Sequence, residues 1–156
     1  MAEYPLFDLK IENIYGYNNT YARDNIRSDN KGRLIYSTGN QIAIYDQFSK
    51  KQLFTHHKAK VLCFEVIDNL CISAEMSEVN NILIWDLDTL EVKNKILNFF
   101  EFGVSKLSVS SDGKLIAATG KRDHQYYSII VFNKESLINF IKTGKKQDKI
   151  LMMESI

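Results

Sequence analysis

Two histidines and two cysteines are the residues of this 156-residue chain best suited to binding a metal ion. His56 and His57 are adjacent, and Cys63 and Cys71 follow in apolar, strand-like segments. Structural zinc sites usually pair their ligands as C-x2-C or H-x3–5-H, and this chain has neither spacing. We therefore expect buried, reduced cysteines that behave as small apolar residues, with no metal and no cofactor.

Acidic side chains offer a second kind of chemistry. Glu75, Glu78 and Asp86 could supply a carboxylate pair for general acid–base catalysis, or they could instead cap turns or face solvent. The sequence contains no G-x-S-x-G elbow, no glycine-rich phosphate loop and no H-E-x-x-H motif. We expect no catalytic residue and a non-enzymatic protein, and we keep an enzyme with dispersed catalytic residues as an alternative.

The composition is that of a globular domain without a strong charge bias. Hydrophobic residues make up 45% of the chain and charged residues 25%, and the formal net charge is +1. Such a balance gives no field that would steer the chain onto nucleic acid or a membrane. Residues 1–5 lack the basic and apolar segments of a signal peptide, and the cysteine usage suits a reducing compartment. The expected location is the cytoplasm.

A strand pattern at residues 81–86, NILIWD, recurs along the chain. The strands that it predicts must position the histidines, cysteines and carboxylates described above. It is apolar on both faces, so the strand needs cover from two sides. Similar segments end at Asp46 and Asn133. The repeats are spaced by roughly 36 to 47 residues, which brackets the ~40–45-residue period of a four-stranded propeller blade. Hairpin turns fall between the strand patterns, with an Asp-Gly pair at Asp112 and Gly113.

This pattern predicts an all-β fold, a partial β-propeller of about three and a half blades. A propeller closes with about 4 to 8 blades, so we expect a fragment that the remaining blades or a self-associating copy completes. The predicted divisions are an N-terminal tail at 1–8, a hydrophobic motif leading into the propeller at 9–25, and blades within 26–156. Those blades are placed at about 26–56, 57–100 and 101–145, with the start of a fourth at 146–156.

The segment from residue 52 to Asp86 resembles a WD repeat. It contains a Thr-His-His sequence at 55–57, a valine four residues later, and the Trp-Asp pair itself. In that family a histidine, a small hydroxyl residue, an aspartate and a tryptophan form a buried hydrogen-bonded set. The resemblance implies such roles for His57, Ser73 and Trp85. The set is incomplete here, because Glu78 is the only acidic residue near the position of the family's aspartate.

A second resemblance, over about residues 9 to 155, is to the echinoderm microtubule-associated protein-like family. It rests on the Tyr15-Gly16-Tyr17 sequence, on RDN at 23–25 and on FFEFGV at 99–104. The resemblance implies a non-enzymatic WD-repeat scaffold of the cytoskeleton or cilium, with tubulin, microtubules or axonemal proteins as partners. The alternative is a general WD-repeat adaptor that joins proteins in another complex. We expect the Tyr-Gly-Tyr sequence to seal the first blade.

Two charged segments are candidate contacts for a protein partner. One is an insertion that contains Arg122 and Tyr126, and the other is a basic loop that contains Lys145, Lys146 and Lys149. Loops on a rigid scaffold often carry function. The alternatives are an insertion that folds back on its blade and a solvated turn.

Overall fold

Three antiparallel four-stranded sheets make up the fold. The computed structural model describes residue 16 and residues 25–77, 81–97, 100–121, 127–134 and 151–154. Across these ranges no helix is long and apolar enough to cross a bilayer. In each sheet the strands are hydrogen-bonded in chain order, which is the arrangement of a propeller blade.

Each blade contains four consecutive strands. Blade one contains β1 (Ile26–Ser28), β2 (Leu34–Thr38), β3 (Gln41–Asp46) and β4 (Lys51–His56). Blade two contains β5 (Lys60–Ile67), β6 (Leu70–Met76), β7 (Asn81–Asp86) and β8 (Val92–Leu97). Blade three contains β9 (Val104–Val109), β10 (Leu115–Lys121), β11 (Tyr127–Asn133) and β12 (Leu151–Glu154).

The turns between the first and second strands form where the sequence predicts them. Gly32 and Gly113 have positive φ angles of 74° and 67°, and Asp68 has 51° in the shorter turn of blade two. Glycine enters this left-handed region without steric cost, and aspartate tolerates it better than most residues. Local turn chemistry therefore sets the hairpins that bring the strands of each blade together.

Strand β12 corrects the prediction that a fourth blade starts at 146–156. Leu151 lies opposite Val131 and Glu154 lies opposite Ser128, so β12 is the outer strand of blade three. An apolar run fits a first strand and an outer strand equally well. Pairing decides between them, because β12 fills the ladder hydrogen bonds on the open edge of β11. Residues 135–150, which separate β11 from β12 in the sequence, lie outside the described residues.

Apolar side chains fill the spaces between the blades. The cluster between blades one and two comprises Ile35, Ile42, Ile44, Val61, Phe64, Cys71, Trp85 and Leu87. The cluster that joins blade two to blade three comprises Ile67, Ile72, Ala74, Ile82, Ile84, Phe100, Val104, Leu107, Ile116, Ala118, Ile130 and Phe132. Both faces of blade two are therefore covered, as the sequence of β7 predicts.

Strand pairing also sets the repeat alignment of the second strands. Similar apolar runs that begin at Leu34, Leu70 and Leu115 suggest that these three residues correspond, but Leu34 lies opposite Tyr45 whereas Leu70 lies opposite Asp86. Tyr45 precedes Asp46 as Trp85 precedes Asp86, so Tyr45 corresponds to Trp85. Because Trp85 lies opposite Cys71, the counterpart of Leu34 is Cys71. A shift of one residue moves every side chain to the other face of a strand. This shift places Ile35 against blade two, as Ile72 is placed against blade three.

Ion pairs join neighbouring blades at the end of the fold that carries the first hairpin turns. Asp88 of blade two accepts Lys31 Nζ at 2.6 Å and Arg33 Nη1 at 2.9 Å from blade one. Between blades two and three the charges are reversed, and Lys134 of blade three pairs with Asp68 of blade two. Partly exposed pairs such as these are worth little singly, so they fix blade orientation more than stability.

In blade three the ring of Phe100 packs directly against Gly120. A Cβ atom at Gly120 would lie 2.4 Å from the carbonyl oxygen of Gly103 and 2.6 Å from Phe100 Cγ. These distances are shorter than any side-chain atom tolerates. The glycine is required by the neighbouring ring and backbone, since its φ lies outside the left-handed region.

We expect Gly120→Ala to destabilise the protein by about 1–3 kcal/mol, because the added methyl group overpacks this junction. Urea unfolding followed by circular dichroism measures the change. Gly16→Ala is the matched control, since its Cβ would lie 3.7 Å from Thr38 Oγ1, an ordinary contact. Equal loss of stability in the two variants would contradict the packing argument.

Candidate functional site

A buried polar set lies between blades one and two. His57 Nε2 is 2.8 Å from Ser73 Oγ, and Trp85 Nε1 donates a hydrogen bond of 3.1 Å to the same oxygen. The imidazole and indole rings meet edge to face, with centroids 6.4 Å apart and planes at 74°. The structure therefore brings together the three residues that the sequence singles out.

Strand register explains why these three side chains meet. Cys71 pairs with Trp85 and Ser73 pairs with Leu83, so Ser73 and Trp85 lie diagonally on one face of blade two. His57 lies in the turn before β5, and its backbone N–H donates to the carbonyl of Asn40 at 2.9 Å. The polar set is thus anchored to blade one at a turn and to blade two through its strands.

Glu75 is a buried site residue that the sequence left undecided. Its exposure is 2%, which decides between the two alternatives of capping a turn and facing solvent. One carboxylate oxygen accepts the backbone N–H of Lys58 at 3.0 Å, and the other accepts Asn81 Nδ2 at 2.8 Å. The carboxylate therefore caps the turn that follows His57, which is the first of these alternatives.

Asp86 closes the turn that follows the tryptophan strand. Its Oδ1 accepts the backbone N–H groups of Asp88 and Thr89, each at 2.9 Å, and Asn69 Nδ2 at 3.1 Å. The hydrogen bond from Thr89, together with that from Asp88, lowers the pKa of Asp86 from its ordinary value of 3.8. Asp86 is thus a turn-capping residue.

The burial of Ser73 and His57 limits the reactions that these side chains could carry out. A serine hydroxyl 2.8 Å from an imidazole has the geometry of a nucleophile and its base. Yet Ser73 has 0% exposure and His57 has 5%, and the hydroxyl already accepts the tryptophan N–H. A substrate cannot reach this oxygen without separating the two blades. The arrangement joins the blades.

The cysteines lie on opposite faces of blade two. Cys71 packs between blades one and two, and Cys63 packs against the cluster shared with blade three. Burial raises the pKa of Cys63 to about 12 and raises the pKa of Cys71 as well, so both thiols stay protonated. The sheet separates the two sulfur atoms, and in the described ranges no three His, Cys, Asp or Glu residues gather as metal ligands.

Blade three replaces the polar set with apolar side chains. Val104 opposite Gly120 corresponds to Val61 opposite Glu75, which aligns Phe100 with His57. The same register aligns Ala118 with Ser73 and Phe132 with Trp85. Phe100, Ala118 and Phe132 lie together in the cluster between blades two and three. Gly120 corresponds to Glu75. Because Gly120 has no side chain, the ring of Phe100 fits beside it.

Several predicted site residues are not among those that the structure describes. Tyr15, Tyr17, Glu78, Arg122, Tyr126, Lys145, Lys146 and Lys149 lie outside the described residues. Gly16 of the Tyr-Gly-Tyr sequence is described, and it lies beside Thr38 at the end of β2. This position is next to blade one, which the motif is predicted to seal.

Two exposed apolar side chains mark the end of the fold opposite the first hairpin turns. Met76 ends β6 with 60% exposure, and Phe102 lies before β9 with 43% exposure. The backbone N–H of Phe102 donates to the carbonyl of Lys121 at 3.1 Å. Lys121, the residue that precedes the Arg122 insertion in the sequence, therefore lies at the same end as Phe102.

Comparison with solved structures identifies the fold class. A chain of the mitotic checkpoint complex aligns with a TM-score of 0.59 and 20% identity over 72% of this chain. Hydrazine synthase of Kuenenia stuttgartiensis aligns with a TM-score of 0.58 and 13% identity over 82%. The dihydro-heme d1 dehydrogenase NirN, in complex with DHE, aligns with a TM-score of 0.59 and 15% identity over 83%.

These three structures are β-propellers, and the likeness confirms the predicted all-β, partial-propeller fold. The alignments cover 35%, 37% and 27% of the respective chains, so this chain spans about a third of their length. No family model matches the sequence. The likeness at these identities concerns the fold alone.

We expect Ser73→Ala to destabilise the protein by about 1–3 kcal/mol, because two buried groups, the Trp85 N–H and His57 Nε2, lose their shared partner. Ser37→Ala is the matched control. Its hydroxyl is also buried but has no hydrogen-bond partner among the described residues, so its removal should leave stability unchanged or increased. Urea unfolding of both variants measures the difference, and similar midpoints would contradict the role of Ser73.

The lowered pKa of Asp86 predicts an acid-dependent part of the stability. The unfolded chain takes up the proton at a higher pH than the folded chain, so the carboxylate adds stability above about pH 4. That stability is lost as the pH falls through the folded-state pKa. Asp86→Asn keeps an oxygen acceptor but does not titrate. Its urea midpoint should therefore fall less than that of the wild type between about pH 5 and about pH 2.

Glu91→Gln, in the same turn but exposed, serves as the control for removing one carboxylate. It should retain the acid dependence of the wild type. An Asp86→Asn variant with an unchanged pH profile would show that the capping hydrogen bonds do not couple to protonation.

Proposed function

We propose that this chain is part of a non-enzymatic scaffold that binds another protein. The observation that carries the proposal is the exposure of Met76 and Phe102 at one end of the blades. Exposed methionine and aromatic side chains are enriched at protein interfaces, and the rigid strands beneath them hold their positions. Phe102 also lies beside Lys121, and the sequence that follows Lys121 contains the candidate contacts Arg122 and Tyr126.

The buried polar groups support the non-enzymatic part of the proposal. His57, Ser73 and Glu75 each make hydrogen bonds that hold a turn or a strand in place. Their burial leaves no room for a reacting molecule beside them. Two of the similar propellers are enzymes by name, and their likeness to this chain is one of fold alone.

We further propose the microtubule or cilium as the place of action, with tubulin or an axonemal protein as partner. Support comes from the resemblance of residues 9–25 and 99–104 to the microtubule-associated family. The second candidate is an adaptor in another multiprotein complex. It rests on the resemblance of residues 52–86 to a WD repeat, which does not by itself specify a partner.

Co-sedimentation with purified microtubules tests the proposal. We expect the chain to pellet at low salt and Phe102→Asp or Met76→Asp to weaken binding by about tenfold or more. Each change removes apolar contact area and adds a negative charge at the proposed surface. Val92→Asp is the matched control, because Val92 is 56% exposed on the outer strand of blade two, away from that end.

Binding that is equally sensitive to all three substitutions would argue against this surface. If no pelleting occurs at low salt, the microtubule partner is wrong. Proximity labelling in cells then tests the adaptor. Partners recovered with the wild type and Val92→Asp, but lost with Phe102→Asp, would support that second candidate.

A further inference from the structure

Among the described residues, blades one and three each have one face that no other blade covers. On blade three the alternation of β10 and β11 turns Leu115 and Ile129 away from blade two, and they are 43% and 38% exposed. On blade one Ile26 and Leu34 point away from blade two with exposures of 48% and 41%. Phe48, in the turn after β3, is 81% exposed.

Phe48 occupies in blade one the position that Asp88 occupies in blade two. Asp88 is the residue that joins blade two to blade one. The N–H of Phe48 donates to Asp46 Oδ1 at 2.9 Å, as the N–H of Asp88 donates to Asp86 Oδ1 at 2.9 Å. Phe48 is therefore the counterpart of Asp88 in blade one. Asp88 points back to the preceding blade and binds its basic residues, so Phe48 projects toward whatever lies on the outward face of blade one.

Leu115 in blade three corresponds to Arg33 in blade one, the residue that binds Asp88. Leu34 lies opposite Tyr45 and Ile116 lies opposite Phe132, so these residues correspond. The residues that precede them, Arg33 and Leu115, therefore correspond as well. Arg33 Nη1 meets Asp88 Oδ1 at 2.9 Å between blades one and two.

The contact that is ionic between blades one and two is thus apolar at both open ends of the fold. Arg33 pairs with Asp88 within the chain, whereas the counterparts at the ends are Leu115 and Phe48. A covering blade with an aspartate at this position would bury a carboxylate against Leu115 without a partner, which is costly. A covering blade with an exposed phenylalanine there suits Leu115, and blade one of this same chain has that residue.

We propose that two copies of the chain associate head to tail, with blade three of each copy packed against blade one of the other. Phe48 of one copy then contacts Leu115 of the other, in the place where Asp88 meets Arg33 within the chain. Two copies supply six blades, within the range of about 4 to 8 at which propellers close. A head-to-tail contact of this kind can close into a ring. The association uses faces other than the Met76–Phe102 end.

Two variants that introduce opposite charges on the two sides of the contact test it by sedimentation velocity and light scattering. The wild type should have the mass of two chains. Phe48→Asp and Leu115→Arg, each alone, should weaken association by about tenfold or more, because each places a charge against an apolar side chain. An equimolar mixture of the two variants should recover the dimer. In that heterodimer one junction is the native Phe–Leu contact and the other reproduces the Asp–Arg pair found between blades one and two.

Met76→Asp, an equally drastic change at an exposed residue away from both faces, should leave the dimer intact. Circular dichroism checks that every variant is folded. A monomeric wild type, as expected if further blades of a longer polypeptide cover these faces, would overturn the proposal. So would a dimer that tolerates both single substitutions, or a mixture that does not recover the dimer.

Discussion

The structure depends on one constraint: a sheet that is apolar on both faces must be covered twice. Blade two meets this requirement, because Trp85 and Cys71 pack toward blade one while Ile72 and Ile84 pack toward blade three. Blades one and three are each covered on one side by another described blade. The order of the sheets, the depth of the polar set and the exposure of the end faces all follow from stacking such sheets side by side.

The two blade junctions satisfy this constraint by different chemistry at equivalent positions. Between blades one and two the junction contains Ser73, which binds both His57 and Trp85. Between blades two and three it contains the apolar set built around Phe100. Replacing all partners of a buried hydrogen-bonded group by apolar side chains can cost little, whereas removing one partner is expensive. This asymmetry explains why the blade-three set differs at every position rather than at one, and why Gly120 accompanies it.

Function, on this view, depends on where the scaffold leaves side chains exposed. The residues with the most reactive chemistry, His57, Ser73 and the cysteines, are used for packing and hydrogen bonding between sheets. The apolar residues that remain at the surface fall at the ends of strands and on the end blades. In the scaffold role proposed above, these exposed side chains supply the contacts with a partner.

The alternation of apolar residues and the turn residues determined the strands, the hairpins and the repeat, because both are local properties of the chain. The resemblance of the Trp-Asp strand to a WD repeat was enough to select His57, Ser73 and Trp85. Only the tertiary structure decided the alignment of Leu34, since a one-residue slip is invisible in an apolar run but reverses both faces of a strand. It alone placed β12 in blade three and buried Glu75, because pairing partners and burial are set by neighbours distant in sequence. The correspondence of Phe48 with Asp88 and of Leu115 with Arg33 likewise became visible only once strand register had fixed which residues share a position.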